Sequence, residues 1–210
     1  MRVYDFKGFP NPARVRIALA EKGMLDDVDF TPVNVPEGAH KAEEFKAKNP
    51  SATVPVLELD DGTTLSECSA IIEYLDALKD QGQLNGSSAK DRGVIAMRQR
   101  LVEANFLDAI AAYFHLATDG LGPAIEDIQN REWGEIRRAA AVSFLDRMES
   151  FLQDGQYLAG DAFTNVDITA YAGHLFADFV GLTYSAETYP RLAAWRQRVE
   201  ARPAVQQALA

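Results

Sequence analysis

The stretch that decides the fold runs from residue 49 to residue 59 and reads Asn49-Pro50-Ser51-Ala52-Thr53-Val54-Pro55-Val56-Leu57-Glu58-Leu59. A proline within a strand pattern belongs at the start of the strand or on a sheet edge, because it has no N–H to donate. It also pushes Val54, the residue before it, towards an extended conformation. The N–H and C=O of Val54 are therefore predicted to stay unpaired, so that an extended peptide could add there as a further strand.

A second backbone surface is predicted directly after the first. Asp60-Asp61-Gly62 separates two apolar runs, which is a strong hairpin signal. Ser66 then has the position of an N-cap for a helix that starts with Glu67-Cys68. Free N–H groups at that helix start favour a carboxylate, and Glu67 could hold an ammonium group beside it. The zwitterionic end of one amino acid would fit this place.

Residues 1–80 alternate short strands with helices in the order β-α-β-α-β-β-α, which predicts a thioredoxin-like α/β layer. Within it, the first helix is predicted to be capped by Asn11, to carry Pro12 in its first turn and to end at Lys22-Gly23. The next helix is expected around residues 41–48.

The rest of the chain predicts a second, all-α domain. Residues 81–93 are rich in Gly, Ser, Asn, Gln and Lys and indicate a linker. From residue 94 to 210 the pattern is helical, with breaks at 118–123, 153–161 and 181–187. Thr164 and Asp167 have the spacing of a capping box and predict the start of a buried helix.

Two motifs resemble the cytosolic glutathione transferases. One joins the proline-headed strand and Asp-Gly hairpin to Leu65-Ser66-Glu67-Cys68-Ser69-Ala70-Ile71, and the other is Tyr157-Leu158-Ala159-Gly160-Asp161 with Phe163, Thr164, Asp167 and Ile168. The resemblance implies a glutathione site in which Val54 and a cis Pro55 pair with the tripeptide. It also implies that Glu67 and Cys68 hold the γ-glutamyl end, and His40 and Lys41 the glycyl carboxylate. Glutathione would be a co-substrate.

The same resemblance implies a homodimer with the long helix near residues 94–117 at its interface. Composition agrees with a globular cytoplasmic protein, because no apolar run is long enough to cross a membrane and no signal-type segment leads the chain. A net charge of -10 opposes nucleic-acid binding. A single cysteine, Cys68, excludes an internal disulfide, and with three scattered histidines it leaves a metal site unexpected.

The segment that usually supplies the family's catalytic residue departs from the family pattern. Most members place a Tyr, Ser or Cys between the first strand and first helix, but residues 5–13 contain no hydroxyl and no thiol. A thiol of ordinary pKa must be shifted by roughly two units, about 2.7 kcal/mol, to be a thiolate near neutral pH. One helix N-terminus supplies half of that or less. Cys68 lies in the other motif and cannot replace a catalytic cysteine.

Three substitutes for the missing group are open. Asn11 could aim its amide or the N–H groups of its helix turn at the sulfur, against the alternative of a plain N-cap. His115 could take the thiol proton directly or through a water held by Thr118 or Tyr113, against the alternative of a helix C-terminal cap. The third possibility is backbone donors alone. The missing hydroxyl and residues 113–123 resemble a fungal and bacterial subgroup of the family.

The expected activity is transfer of glutathione to apolar electrophiles, as in detoxification. The electrophile pocket should be apolar and lie between the domains, with Phe9, Tyr113, Phe114 and Leu121 as walls. Phe106, His174 and Phe176 are expected to pack in the core. Two rivals are a glutathione-dependent peroxidase, isomerase or dehalogenase, and a non-catalytic glutathione-binding or scaffold module.

Overall fold

The computed structural model describes residues 1–210 as four strands and nine α-helices. The strands are β1 (Arg2–Asp5), β2 (Asp29–Pro32), β3 (Val56–Glu58) and β4 (Thr64–Leu65). The helices are α1 (Pro10–Glu21), α2 (Glu43–Lys46), α3 (Cys68–Leu78), α4 (Ala89–Val102), α5 (Asp108–Ala117), α6 (Arg131–Phe151), α7 (Asn165–Phe179), α8 (Pro190–Glu200) and α9 (Pro203–Leu209).

The strands form one sheet in the order β2-β1-β3-β4. β1 pairs with β2 in parallel and with β3 antiparallel, and β4 closes the sheet as the antiparallel partner of β3. Together with α1, α2 and α3 this is the predicted β-α-β-α-β-β-α order, and the thioredoxin-like layer is confirmed.

Pro55 lies immediately before β3, at the strand start that its missing N–H requires. The Val54–Pro55 peptide bond is cis, as the resemblance implies. The predicted hairpin follows: Leu59 N–H donates to the Thr63 carbonyl at 2.8 Å, and Gly62 takes a positive φ of 85° at the turn.

Both predicted caps of the first domain were placed wrongly. α1 begins at Pro10, because the fixed φ of proline suits the first helical position, and Asn11 therefore lies inside the first turn. Phe9 occupies the cap position and makes no side-chain cap hydrogen bond. α3 begins at Cys68, so that Glu67 rather than Ser66 is the cap residue. The helix predicted around 41–48 is shorter, with a 3₁₀ turn at Ala39–Lys41 before α2.

The stretch predicted as a linker ends earlier than expected. α4 begins at Ala89 rather than near residue 94, because Ser88 caps it: Ser88 Oγ accepts a hydrogen bond from Asp91 N–H at 3.1 Å. α4 continues through a π-helical turn at Glu103–Leu107 into α5. The two helices and the turn between them form one long rod.

The helical domain is held by close contacts and by one buried carboxylate. α6 passes close to the end of α5 at Gly134, where an added Cβ would lie 2.6 Å from the Cβ of Ala117. The predicted capping box is confirmed, with Asp167 accepting from Thr164 N–H at 2.9 Å. Asp167 also accepts from Leu158 N–H and from the indole N–H of Trp195, so one acid ties together the loop before α7, α7 itself and α8.

The two domains share the larger of the two hydrophobic clusters in the chain. One cluster of 40 buried residues includes Val3 and Leu57 of the sheet together with Ile110 and Trp195 of the helical domain. Between the two layers lies α1, which packs on α3, α7 and α9. No helix of the chain combines the length and the apolar character that a membrane crossing requires.

A buried ion pair fixes the C-terminal end of α1. The Lys22 ammonium is fully enclosed and donates to Asp76 at 2.8 Å and to the Asp80 carbonyl at 2.8 Å. Asp76 in turn accepts from the backbone N–H groups of Leu84 and Asn85. Both charges are buried, so loss of either one would leave the other enclosed without an opposite charge.

His174 is buried as predicted, with its ring against Phe106 at 4.8 Å and Trp195 at 5.3 Å between centroids. Neither ring nitrogen has a hydrogen-bond partner. Burial lowers the pKa of His174 from 6.5 to about 3, since the charged ring would have no solvation. Phe106 and Phe176, the other residues assigned to packing, are also buried.

This histidine makes the stability of the fold depend on pH. The ring contributes no penalty above pH 6.5, where both folded and unfolded forms are neutral, and destabilises the native state as the pH falls from 6.5 towards about 3. We expect His174 to cost about 2 kcal/mol at pH 5 relative to pH 7.5. Urea unfolding of the wild type and His174→Phe at both pH values measures this, since the difference between the two proteins isolates the ring. An equal pH dependence in the two proteins would contradict it.

Candidate functional site

The site is built where three backbone segments end at one side of the sheet. Tyr4 of β1 pairs with Val56 of β3 in antiparallel register, so Val54 lies level with the segment that leads from β1 into α1. Outside the helices and strands, no backbone hydrogen bond of the chain includes the N–H or C=O of Val54. The predicted unpaired strand position is therefore present.

The start of α3 supplies a second group of free donors. The N–H groups of Cys68, Ser69 and Ala70 have no acceptor within the chain, because they belong to the first turn. Glu67 precedes them with φ 66° and ψ 114°, a conformation that a non-glycine residue rarely adopts, and its side chain is exposed. Such backbone strain costs of the order of 1–3 kcal/mol and is a common mark of functional positions.

The start of α1 supplies a third group. Pro10 and Pro12 have no N–H, so the Asn11 N–H is the one unpaired donor among the first three helical positions. The Asn11 side-chain carbonyl accepts from Arg14 Nη1 at 3.0 Å, which fixes the orientation of the amide and leaves Nδ2 free. Cys68 Sγ donates to the Asn11 carbonyl at 3.4 Å. The two helix starts are therefore neighbours.

Sequence reasoning missed the network that fixes these helix starts against the helical domain. Arg14, which is 2 % exposed, donates from Nη2 to Glu103 at 2.6 Å and to Ser69 Oγ at 3.1 Å. Ser69 also donates to Glu103 at 3.2 Å. The partners lie 55 and 89 residues from Arg14 in the sequence, so no local pattern could have indicated the pairing.

Lys41 is engaged by the helical domain. Its ammonium donates to the Ile125 carbonyl at 2.8 Å and to the Asp127 carboxylate at 2.8 Å. His40 is 8 % exposed, and burial followed by the charge of Lys41 lowers its pKa, which opposes a cationic role. Of the two predicted carboxylate ligands, Lys41 is the more exposed, with 36 % of its side chain accessible.

His115 lies in the last turn of α5, and its side chain is 42 % exposed. Its Nδ1 lies 2.8 Å from Oε1 of Glu126, a pairing that the sequence did not indicate. Thr118, predicted to share a water with His115, instead donates its hydroxyl to the Phe114 carbonyl at 2.6 Å and accepts from Gly120 N–H. Thr118 thus ends the helix and has no proton left to offer.

Lys41 and Glu126 connect the two halves of the site. Residues 125–127 are held by Lys41 from the first domain, and Glu126 within them reaches His115. The structure in this way brings His115 to the side of the first domain on which Lys41 lies. No hydrogen bond joins His115 or Thr118 to Asn11 or Cys68.

The four predicted pocket walls make different contacts in the structure. Phe9 packs edge-on against Phe6 at 4.8 Å, and Tyr113 lies under the guanidinium of Arg138 at 5.5 Å. Phe114 is buried in an aromatic cluster instead, with Phe176 at 5.3 Å and Phe179 at 5.8 Å. Leu121 packs on the main core.

Two cavities, of about 380 and 330 Å³, lie elsewhere. The first has a polar lining of residues from α3, α4 and the π-helical turn, and the second lies between α7 and α8. Neither is lined by Phe9, Tyr113, Phe114 or Leu121. No group of three or more His, Cys, Asp or Glu side chains converges as metal ligands do.

The chain matches two family models. Residues 10–78 match the model of the glutathione S-transferase N-terminal domain, and residues 125–210 match that of the C-terminal domain. Glutathione S-transferase 2 of Saccharomyces cerevisiae is 47 % identical over 209 residues, which cover 100 % of this chain and 89 % of that protein. Glutathione S-transferase F6 of Arabidopsis thaliana is 30 % identical over 209 residues, with 97 % and 98 % covered.

Solved structures agree in fold with this chain. The crystal structure of Gtt2 from Saccharomyces cerevisiae superposes with a TM-score of 0.96 at 47 % identity and covers 100 % of both chains. A glutathione S-transferase domain-containing protein of Marinobacter aquaeolei gives a TM-score of 0.95 at 51 % identity, with 98 % of this chain and 100 % of that one covered.

Cys68 is expected to be unreactive in the native protein. Burial raises the pKa of its thiol from 9.0 to about 11, which lowers the thiolate fraction near pH 8 about 100-fold. Labelling by an alkylating reagent should therefore be at least about 100-fold slower than in the urea-unfolded chain, which is the control. Rapid labelling of the folded protein would show that the thiol is accessible and ionised.

Proposed function

We propose, because this chain belongs to the glutathione S-transferase family, that it holds glutathione across Val54 and the starts of α1 and α3. The chain is a glutathione transferase, as its full-length relatives are named. Those names favour transfer over a peroxidase, an isomerase or a dehalogenase, and over a non-catalytic scaffold.

The observation that carries the proposed site is the set of backbone groups without partners inside the chain. Val54 offers one N–H and one C=O, which match the cysteinyl residue of an extended tripeptide. The N–H groups of Cys68, Ser69 and Ala70 suit the γ-glutamyl carboxylate, because a helix N-terminus favours an anion. The exposed Glu67 carboxylate lies at the same helix start and suits the ammonium group. The role of Cys68 is then that of its backbone.

In this proposal Asn11 stabilises the thiolate of glutathione and His115 accepts the thiol proton. The Asn11 N–H and Nδ2 donate to the sulfur anion, and a hydrogen bond to a charged group contributes about 1.5–3 kcal/mol. With up to about 1 kcal/mol from the helix terminus, these donors reach the roughly 2.7 kcal/mol that a two-unit shift requires. Nε2 of His115 accepts the proton that leaves the sulfur, directly or through one water. The thiolate then attacks the electrophile.

Lys41 is the proposed ligand of the glycyl carboxylate. Its present partners, the Ile125 carbonyl and an Asp127 side chain that is 79 % exposed, hold the ammonium in place without enclosing it. An exposed ion pair of this kind is worth little, so an incoming carboxylate can share or replace Asp127 at small cost. His40, being buried, supports the turn.

We place the electrophile between the domains, beside Phe9, Tyr113 and Leu121, because these side chains are partly exposed and so could contact a ligand. Phe114 is buried in the core behind these residues.

A homodimer through the long rod is supported by exposed apolar side chains such as Met97 on α4, which is 54 % exposed. A cytoplasmic role in detoxification is consistent with an unpaired cysteine.

The activation scheme predicts how the ultraviolet absorbance of bound glutathione thiolate changes with pH. Asn11→Ala removes Nδ2 and should raise the pKa of the bound thiol by about one unit, since about 1.4 kcal/mol of anion stabilisation is lost. His115→Ala should lower kcat at least about 10-fold. Asp119→Asn, on an exposed side chain without a hydrogen-bond partner, is the control. A bound-thiol pKa that no variant moves, or no binding at all, would overturn the scheme.

The role of Lys41 can be tested with a shortened ligand. Lys41→Met should weaken glutathione binding about 10-fold, because a charge-assisted hydrogen bond to the glycyl carboxylate is lost. The same variant should bind γ-glutamylcysteine, which lacks that glycine, as the wild type does. Calorimetric titration of both ligands into both proteins measures the effect. Equal losses for the two ligands would show that Lys41 acts on the fold of the loop and not on the glycyl end.

A further inference from the structure

Glu126 and His115 form a pair at the end of α5. Oε1 of Glu126 lies 2.8 Å from His115 Nδ1 and accepts a hydrogen bond from Leu121 N–H at 2.7 Å. The Glu126 side chain is 9 % exposed, whereas that of His115 is 42 % exposed. The enclosed carboxylate thus binds Nδ1 of the ring. The other ring nitrogen, Nε2, has no hydrogen-bond partner in the chain.

This contact decides which nitrogen carries the proton in the neutral ring. An ionised carboxylate has only lone pairs to offer, so the nitrogen that faces it must be the donor. Nδ1 therefore carries the hydrogen, and Nε2 is left with the lone pair that a base needs. Without the carboxylate, nothing in the chain distinguishes the two nitrogens.

We propose that Glu126 is a positioning residue for the transferase reaction, which it serves by holding His115 with Nε2 free to accept a proton. This inference rests on the proposed function, in which the S–H bond of glutathione breaks and its proton moves to Nε2. The hydrogen on Nδ1 stays on the ring throughout. The Glu126 carboxylate stays ionised and stabilises the imidazolium until the proton passes to water.

The loop fixes the position of the carboxylate from several sides. Lys41 holds the residues before and after Glu126, at the Ile125 carbonyl and the Asp127 side chain. Gly120 has φ 53°, and an added Cβ there would lie 2.2 Å from Glu126 Oε1, so the chain leaves room for the acid. The carboxylate is therefore held by backbone constraints as well as by its hydrogen bonds.

The other charged groups on the surrounding segments are already accounted for. Asp127 is paired with Lys41, and Arg138 of α6 stacks on Tyr113 and lies 3.8 Å from Glu135. Asp119 is exposed. Glu126 is the only one of these groups that makes a hydrogen bond or an ion pair with His115.

Nitrogen-15 NMR of the histidine rings tests the pairing without reference to activity. The full-length protein is labelled on histidine and studied without ligand near pH 7.5, and His115→Ala assigns the signal. We expect the Nδ1–H tautomer in the wild type. Glu126→Ala should let the Nε2–H form appear, since the oxygen that accepts from Nδ1 is removed, whereas Glu126→Gln should keep the Nδ1–H form because one oxygen faces both Nδ1 and Leu121 N–H. A wild-type ring protonated on Nε2 overturns the proposal.

Steady-state kinetics test whether Glu126 acts through His115. With glutathione and a chloronitrobenzene, Glu126→Gln should lower kcat/KM about 10-fold or more, while Asp119→Asn stays within about two-fold of the wild type. In the His115→Ala background the further effect of Glu126→Gln should vanish. An equal loss in both backgrounds would mean that Glu126 acts through its bond to Leu121, and would reject the inference.

The two proposals fail in different ways. If His115→Ala keeps full activity while the NMR tautomer is as expected, the pairing stands as geometry but both the base and the positioning role are wrong. If His115→Ala is impaired and Glu126→Gln is not, only the role of Glu126 fails. Glu126→Gln keeps an oxygen for Leu121 N–H, so thermal unfolding should match the wild type and exclude a folding defect as the cause.

Discussion

The rest of the structure depends on the burial of α1, of whose residues only Asn11 is exposed. The helix lies between the sheet and the helical domain, and eight of its residues are buried, among them Arg14. Apolar residues satisfy most of that burial, but Arg14 and Lys22 each need a partner carboxylate, supplied by Glu103 and Asp76. The Arg14–Glu103 pair joins the two domains, whereas Lys22 and Asp76 both lie in the first domain, so the first pair and the shared core set the orientation of one domain relative to the other.

This burial supports the proposal that a chain without the family's usual hydroxyl or thiol still binds an anion. Helix starts leave donors unpaired, and the fold brings the starts of α1 and α3 together through the contact of Cys68 with Asn11. Prolines at both neighbours of Asn11 leave it as the one donor of its turn. The positive charge of the proposed site is that of Lys41 in the first domain, and the loop after α5 in the other domain holds it in place.

Local signals in the sequence predicted the fold well. The Asp-Gly hairpin, the proline before β3 and the capping box at Thr164 depend on neighbours within a few residues, and all three are confirmed. The start of α4 could also have been predicted from the local sequence, because Ser88-x-x-Asp91 is an N-capping pattern. The polar composition of the segment indicated a linker instead. Asn11 and Ser66 were misplaced as caps because Pro10 and the strained Glu67 shift the helix starts by one or two residues.

The candidate site was predicted only where a motif was local. His115 and Lys41 could be named from the sequence, but their partners Glu126 and Asp127 could not, because spacings of 11 and 86 residues follow no periodicity. The hydroxyl of Thr118 suggested a water-binding role, but backbone groups at the end of α5 satisfy that hydroxyl. The π-helical turn at Glu103–Leu107 has a consequence of this non-local kind. It holds one residue more than an α-helical turn, and one residue corresponds to about 100° of rotation. A chain shortened by a single position there would turn α5 so that another side chain faced Glu126, and the number of residues along this rod therefore sets the contact between His115 and Glu126.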